Sequence, residues 1–542
     1  MTPGDIQGIM TTANPPEFFN FTTDIFDGWA RTRPDGLGLW CVDGVTGAEK
    51  KLTFRELSRL SSQAANVFRA HGVRRGDRVL IMLPRIWQWW VAMLGLVRLG
   101  AVPVPATSQL TPRDVAYRLE IARIRAVLTD ADGMVKFDGF DGLRLATCPP
   151  PAGWVDFNAA LAAAATDFSG ERTRANDPGI IYFTSATAGE PKMVLHTQAS
   201  YGLGHRVTGE LWLDGHPGDV HWNLSDLGWA KAAWSSFFGP WHMGMCVFTV
   251  NIHGKFDPVH TLDVLAQFPI TTLCVPPTAL RLMVRQHLSH WQFPHLRHCV
   301  TAGEPLSPET MKQWKTATGL DLYEGYGQTE CTILIGNYRS LNIPLRPGSM
   351  GHPTPGYQLA LLDENRREVP VGHEGEIAVR VDPVRPLGLF REYWLSPEVT
   401  AAKFRDGWYF TQDRAVRDAE GYFWFIGRTD DVIKSSGYRI GPCEVESVLH
   451  EHPAVLDAAV VGKPDLLRGQ IVKAFVILRP KIVASETLKH ELQQFCKHTV
   501  APYKYPREIE FVAELPKTIS GKTRRVELRA RHAGAHGAAK AA

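Results

Sequence analysis

Short apolar runs rich in β-branched residues recur along the first 430 residues, each followed by a longer stretch of helical spacing. DRVLIMLP (77–84), RAVLTDA (125–131) and GIIYFTS (179–185) read as buried strands, and 86–99 and 112–125 as the helices that separate them. The rhythm continues through ITTLCVPP (270–277) and LRHCVTAG (296–303). Buried strands alternating with helices predict parallel sheets covered on both faces. Near residue 427 the texture changes. VLDAAVVGKP (455–464) and IVKAFVIL (471–478) precede an amphipathic helix over 485–499, with Leu488, Leu492 and Phe495 at helical spacing. The predicted class is α/β: a large N-terminal body of parallel or mixed sheets covered by helices over 1–428, with sub-domains. A small, mobile α+β lid follows over 429–530, and the small-residue tail 531–542 is expected to be disordered.

Composition narrows the function classes. The 542 residues are 44% hydrophobic and 21% charged, enough to build sizeable cores. Lys and Arg number 59 against 56 Asp and Glu, a net charge of +3 that gives no electrostatic case for a nucleic-acid partner. Eight scattered cysteines contain no CxxC pair, which argues against a structural zinc site and a disulfide framework. No apolar run reaches the roughly 18–20 residues of a membrane span, and the N-terminus lacks a charged start before an apolar stretch. The expectation is a soluble, cytoplasmic protein, monomer or homodimer. His196, His205 and His221 show no HExxH-type spacing, so a metal hydrolase is disfavoured.

Four segments carry candidate chemistry. The first is TSATAGEPK, comprising Thr184, Ser185, Ala186, Thr187, Ala188, Gly189, Glu190, Pro191 and Lys192, directly after a strand. Small hydroxyl residues and a glycine allow backbone N–H groups to face an anion, although this is no GxxxxGK[ST] loop; an ordinary turn is the plain alternative. The second is YEGYGQTE (323–330), in which Gly325 and Gly327 give Tyr326 a flexible mount suited to stacking on a purine and Glu330 is a hard oxygen ligand suited to Mg²⁺. A surface turn with a solvated acid would look the same. In the third, GWYFTQD (407–413) and GYFWFIGR (421–428), one aromatic strand is read as ending at Asp413 and the next at Arg428. These could bind ribose hydroxyls and phosphate, or form a structural ion pair. The fourth, LPKTISGK (515–522), is a basic loop that alone says little.

Together and in this order, the four segments resemble the adenylate-forming superfamily that includes acyl-CoA synthetases, luciferases and peptide-synthetase adenylation domains. The likeness runs from about Phe19 to Arg529. Within it, 222–241 (WNLSDLGWAKAAWSSFFGPW), 436–442 (SGYRIGP) and 501–507 (APYKYPR) look most like medium-chain acyl-CoA synthetases. The resemblance implies an enzyme that forms acyl-AMP and pyrophosphate from ATP and a carboxylic acid, then acyl-CoA from coenzyme A. It implies that 184–192 covers the β- and γ-phosphates. Glu324, Gly325, Tyr326, Gly327, Gln328 and Thr329 would hold adenine and the α-phosphate, and Glu330 would bind Mg²⁺. Asp413 would take the ribose with Arg428 nearby, and Lys522 would bridge carboxylate and α-phosphate. Thr329, Glu330 and Lys522 are thus the implied catalytic residues, and Asp430 the hinge. Coenzyme A contacts carry over to Ser436, Gly437, Tyr438, Arg468, Gln109 and Lys497. Trp229, Trp234, Gly303 and Arg439 would surround the acyl group. The acid stays open between a medium-chain fatty acid, a short or branched one, and an aromatic one such as benzoate.

Two other readings stay in play: transfer to a carrier-protein thiol or an amine, and a nucleotide-binding pseudo-enzyme. The second arises because Ala186 and Ala188 stand where the family usually has Gly and Ser or Thr. Gln412 likewise replaces the Gly that usually precedes the ribose-binding Asp. If residue 186 requires positive φ, its methyl group is a strain that glycine would relieve. Ala186→Gly is then expected to lower the KM for ATP in a pyrophosphate-release assay; an unchanged or higher KM refutes the strain account.

Overall fold

The computed structural model describes residues 15–184, 191–252, 254, 256–435, 438–499, 503–518 and 522–537. Two sheets built from the alternating pattern dominate the body. One has five parallel strands in the order Val102–Pro105, Arg78–Met82, Ala126–Thr129, Leu143–Ala146, Val155–Asp156. The other has nine strands, and its centre runs parallel from Leu37–Asp43 through Cys246–Asn251, Val220–Asn223, Thr272–Cys274 and His298–Ala302 to Leu322–Gly327.

Helices Phe54–Ala70 and Trp87–Leu99 lie between these sheets, and one continuous apolar core takes residues from both helices and from strands of both sheets. The first helix begins at a capping box, Thr53 with Glu56, and the second ends at Gly100 in the left-handed conformation. The second helix is apolar nearly all round, as an element buried between two layers must be. Gly95 sets how closely the pair packs: a Cβ there would stand 2.6 Å from Ala64 Cβ and 3.1 Å from the Ser61 carbonyl.

The expectation for GIIYFTS is corrected. The strand Pro178–Phe183 joins no parallel sheet but pairs antiparallel with Met193–Thr197, which pairs in turn with Glu392–Tyr393. A fully buried apolar strand carries no periodic sign of its partners' direction. The consequence is functional, because Thr184 and Lys192 become the two ends of a hairpin connection. Its neck is closed by Thr184 N–H to the Lys192 carbonyl at 2.9 Å and Lys192 N–H to Thr184 Oγ1 at 3.1 Å.

A further sheet places Leu359–Leu362, Glu374–Arg380, Trp408–Arg417, Phe404–Arg405 and Phe423–Arg428 together. Here too the sequence reading needs correction: the aromatic strand does not stop at Asp413 but continues to Arg417, with Asp413 directly opposite Arg428. After Arg428 comes the C-terminal sheet of Tyr438–Ile440, Ile433–Ser435, Gly469–Leu478, Val455–Asp465 and Glu508–Phe511. Helices Pro442–Glu451 and Glu486–Thr499 pack with it around one core, while Leu528 packs in a second with Val461, Phe475 and Leu515. The helix Arg525–Gly537 overruns the expected tail boundary at 530 by one to two turns. All eight cysteines are free thiols. No helix among the described residues is long and apolar enough to cross a membrane.

Gly95→Leu forces a branched side chain into the seam between the two central helices, and overpacking of this kind costs about 1–3 kcal/mol. Chemical denaturation of this variant is expected to show that loss; an unchanged midpoint removes the close-packing account.

Candidate active site

The expected site residues converge on one cavity of about 440 Å³ lying where the body meets the C-terminal domain. Thr184, Lys192, Gly303, Glu324 to Glu330, Asp413, Arg428 and Lys522 all line it. Its floor is the strand Leu322–Gly327, whose glycines have a different purpose from the flexible mount expected for Tyr326. Both are extended residues of the strand with indoles packed against their bare backbone. A Cβ on Gly325 would meet the Trp212 ring at 2.7 Å, and one on Gly327 would meet the Trp234 ring at 2.4 Å. Only glycine lets the floor sit this low on the core.

Tyr326 is fixed rather than mobile. Its hydroxyl donates to Asp413 Oδ2 at 2.7 Å, and its ring lies 6.4 Å from that of Phe425. Gln328 Nε2 donates to the same oxygen at 2.5 Å, and Tyr409 O–H donates to Gln328 Oε1 at 2.8 Å. Burial raises the pKa of Asp413, with Arg428 opposing that shift. Burial acts against the charge of Arg428 too, but Asp413, Asp430 and Asp431 outweigh it and hold the guanidinium protonated. The Arg428 Nε donates to Asp430 Oδ1 at 3.1 Å rather than to Asp413.

The far end of the floor is braced by groups that sequence reasoning read only as structural or missed. His196 Nε2 and Tyr201 O–H both reach the Thr329 carbonyl at 2.8 Å, with the two rings stacked 3.4 Å apart. Burial depresses the pKa of His196 to about 3, so this brace is neutral. Tyr393 O–H donates to Glu330 Oε1 at 2.6 Å, and Lys192 Nζ stands 5.2 Å from the centre of the Tyr393 ring. Among the described residues no group of three His, Cys, Asp or Glu could enclose a metal. Glu330 therefore offers one carboxylate, a donor set suited to Mg²⁺ held mainly by substrate phosphates and water.

Glu324 is buried in the wall, and burial raises its pKa to about 8. Its Oε1 accepts from Leu306 N–H at 3.3 Å, and its Oε2 has no partner among the described residues. Gly303 opens the neighbouring wall at φ +108, a conformation reserved for glycine, with nothing within 4 Å of the Cβ direction. Lys522 enters from the opposite side on a tight loop, where Thr518 N–H donates to the Lys522 carbonyl at 2.7 Å and Lys522 N–H donates to Thr518 Oγ1 at 3.1 Å. Its charge is felt by Asp413 and by the buried Lys231, whose ammonium donates to the Ala302 carbonyl at 2.6 Å. Lys231, in the WAKAAW run, is a cation that sequence reasoning passed over.

Other expected residues lie elsewhere. Ser185, Ala186, Thr187, Ala188, Gly189, Glu190, Ser436 and Gly437 fall outside the described residues; Pro191 is described but does not line the cavity. Arg439 lies on the strand Tyr438–Ile440, opposite Lys434. Trp234 is buried beneath Gly327 on a π-helical turn, Ala233–Phe237, and Trp229 is half-buried just before it. The loop holding Gln109 packs on the segment before Trp229, since a Cβ on Gly228 would meet Thr107 N at 2.1 Å. Tyr438 stacks on Tyr503 at 4.2 Å, and Lys497 lies over Tyr505 at 4.3 Å. Arg468 is in the exposed turn next to Gly469, which pairs with Ser435. Of these coenzyme A candidates, Tyr438, Arg468 and Lys497 lie on the C-terminal domain and Gln109 on the body, and none of the four lines the cavity.

Comparison with known proteins agrees with this arrangement. A family model described as AMP-binding enzyme matches residues 26–394, and one described as AMP-binding enzyme C-terminal domain matches 444–522. Acyl-coenzyme A synthetase ACSM3, mitochondrial, of Rattus norvegicus is 47% identical over 95% of this chain and 90% of its own. Acyl-coenzyme A synthetase ACSM4, mitochondrial, of Homo sapiens is 45% identical over 98% and 93%. Among solved structures, the anthranilate CoA ligase AuaEII in complex with anthranoyl-AMP superposes with a TM-score of 0.88 at 30% identity, covering 99% of this chain and 100% of that one. A benzoate CoA ligase from Burkholderia xenovorans gives 0.83 at 28% identity, covering 94% and 100%. The expectation of a cytoplasmic location is corrected by these relatives, which are described as mitochondrial.

A carboxyl group with a folded-state pKa near 8 is neutral in the fold but ionised in the unfolded chain above its ordinary value of 4.5. Its contribution is complete below that ordinary value and is lost as pH rises toward 8. Glu324→Gln, which mimics the neutral acid, is therefore expected to lose less thermal stability than the parent between pH 5 and pH 8. Parallel Tm profiles would show that residue 324 is ionised in the fold.

Proposed function

The chain belongs to the AMP-binding enzyme family and is an AMP-forming acyl-CoA synthetase, and from that premise we propose that it activates a medium-chain fatty acid through the cavity just described. The observation that carries the reading is one cavity lined from the body by Glu324 to Glu330, Asp413 and Arg428 and from the C-terminal domain by Lys522. ATP, Mg²⁺ and coenzyme A are the reaction's other components. Transfer to a carrier protein or an amine gives way to coenzyme A as acceptor, and the pseudo-enzyme reading gives way to an acid–thiol ligase.

In this reading Asp413 keeps Oδ1 for the ribose hydroxyls while Tyr326 and Gln328 fix Oδ2. Glu324 and the floor at Gly325 to Thr329 face adenine and the α-phosphate, and Arg428 stands beside the ribose. Glu330 would hold Mg²⁺, which supplies charge neutralisation across the phosphates when bound. The hairpin 184–192, with Lys192 at its neck, covers the β- and γ-phosphates. Lys522 lies between the acid's carboxylate and the α-phosphate, offsetting their repulsion and stabilising charge that develops on the phosphoryl oxygens. The carboxylate attacks phosphorus, the bond to the bridging oxygen breaks, and pyrophosphate leaves with the electron pair. The coenzyme A thiolate then attacks the acyl carbon and AMP departs. A turn of the domain 429–530 about Asp430 would exchange Lys522 for the rim carrying Tyr438 and Arg468, with Ser436, Gly437, Gln109 and Lys497 as further contacts.

The medium-chain assignment is supported by the likeness of 222–241, 436–442 and 501–507 to medium-chain acyl-CoA synthetases, which places the indoles of Trp229 and Trp234 with Gly303 around the acyl group. Arg439 is placed by the same reading near the acyl-adenylate. The anthranilate and benzoate ligases favour a second reading, an aromatic acid. Pyrophosphate release measured across acids separates the two: a maximum at medium-length straight chains supports the first, a maximum at benzoate the second.

Lys522→Ala is expected to lower adenylation by roughly 10²–10³-fold while sparing thioester formation from supplied acyl-AMP. Equal loss of both half-reactions refutes the bridging role.

A further inference from the structure

Of the cavity's cations that have no part in the reading above, Arg281, Lys517, Arg525 and Arg529 are ion-paired, which leaves Lys403. Lys403 belongs to a residue only 8% exposed, yet it lines the cavity beside Thr411 and Gln412. Its ammonium donates to Gln412 Oε1 at 2.7 Å and reaches the Phe410 carbonyl at 3.5 Å. Both are neutral acceptors, so no carboxylate is hydrogen-bonded to this buried charge in the contacts the structure gives it. The charged groups around it come from five elements. They are Glu330 beyond the floor strand, Lys192 at the hairpin neck, Asp413 and Arg428 from the paired aromatic strands, and Glu376 from Glu374–Arg380. Tyr393, bonded to Glu330, completes the surroundings.

Gln412 is itself unusual. It has φ +64, a region that favours glycine. Its backbone is held there from both sides, by N–H to Glu376 Oε1 at 2.9 Å and by Thr429 N–H to its carbonyl at 2.8 Å. A side chain kept in a strained backbone position, with its amide oxygen turned onto a buried ammonium, is a positioning device.

We propose that Lys403 is a further triphosphate-binding cation of this site, held ready by Gln412 and passed to the β- and γ-phosphates and the departing pyrophosphate when ATP enters. The inference rests on the ATP site proposed above. Placement decides which phosphates: both lysines face Asp413, but Lys403 also faces Glu330 and Lys192, which flank Tyr393 on the leaving-group side, whereas Lys522 faces Lys231. Burial depresses the pKa of Lys403 to about 8, with Glu330 opposing that shift, so an incoming polyanion restores a charge that burial has weakened. No bond to Lys403 forms or breaks.

The test uses the full-length enzyme, ATP, and an acid it accepts, with pyrophosphate release followed from pH 6.5 to 9.5. Thioester formation from supplied acyl-AMP is measured alongside. In the parent enzyme kcat/KM for ATP is expected to fall as pH passes about 8, and Lys403→Arg, which stays charged, is expected to flatten that limb. Lys403→Met is expected to lower kcat/KM for ATP by about ten- to a hundredfold at pH 7, with the thioester half-reaction kept within about threefold. Gln412→Gly removes the acceptor and is expected to move the limb to lower pH. ATP dependence of Lys403→Met equal to the parent overturns the proposal, as does equal loss of both half-reactions or an Arg variant that keeps the limb. Should the Met variant fail to fold, the Arg and Gln412→Gly profiles decide. A parent enzyme that releases no pyrophosphate with any acid overturns the ATP site itself, which is a different result from an active parent matched by Lys403→Met.

Discussion

Two anions that repel each other must be brought to bonding distance, and the arrangement of this protein follows from that constraint. A carboxylate and a triphosphate together carry several negative charges, and no single rigid surface can both admit them and enclose them in cations. The chain divides the task. In the proposed reading the floor with its hydrogen-bonded acceptors and the exposed Lys192 belong to the body, and a further exposed point charge, Lys522, comes from the C-terminal domain. Lysine suits that position because its charge is compact and sits at the end of a flexible stem.

The floor shows how such a site is kept in register. Asp413 is buried and would be expensive as a lone charge, so Tyr326 and Gln328 share one of its oxygens, and Tyr409 anchors Gln328 in turn. The network is continuous with the core beneath, because Trp212 and Trp234 press on the glycine backbone of the same strand. Glu330 is set by Tyr393, and the Thr329 carbonyl by His196 and Tyr201, all from the sheet that includes the hairpin or the helix after it. Loop residues that would otherwise wander are thus held by groups that are neutral by burial, which adds rigidity without adding competing charge.

Much of this was legible in the sequence, and the parts that were not share a cause. Alternating strands and helices were read from β-branched runs, and the cavity residues from local motifs that each occupy fewer than ten positions. What local pattern does not encode is contact across long separations. The antiparallel partner of Pro178–Phe183 was hidden because every residue of that strand but the first is buried. The purpose of Gly325 and Gly327 was misread because the indoles that require them lie about 90 to 115 residues earlier in the chain. Lys403 looks like an ordinary surface lysine in sequence and becomes distinctive only once its burial is known, as Lys231 does once its bond to the Ala302 carbonyl is seen. The supposed end of a strand at Asp413 was a turn in sequence texture at Gln412, whose positive φ bends the strand without ending it.

The hinge region shows why nucleotide and domain position should be linked. Arg428 ends a strand of the body directly opposite Asp413, and its guanidinium bonds to Asp430. The next residue, Asp431, is held by Arg529 at 2.6 Å and Arg525 at 3.5 Å, both on the last helix of the C-terminal domain. Arg525 is bonded in turn to Glu446 at 2.7 Å. Charge pairing therefore ties Asp430 to the body and Asp431 to the C-terminal domain, and in the proposed reading the pivot is the peptide joining them. Thr429 N–H is tied to the carbonyl of Gln412, one residue from Asp413. A force applied at the pivot reaches the nucleotide floor through two residues of backbone. The chief cross-domain bond seen far from the pivot, Arg285 to the Leu456 carbonyl at 2.6 Å, is a single hydrogen bond to a neutral acceptor. Contacts of that kind break at modest cost, and in the proposed reading a triphosphate in the cavity favours the arrangement that brings Lys522 inward until pyrophosphate leaves.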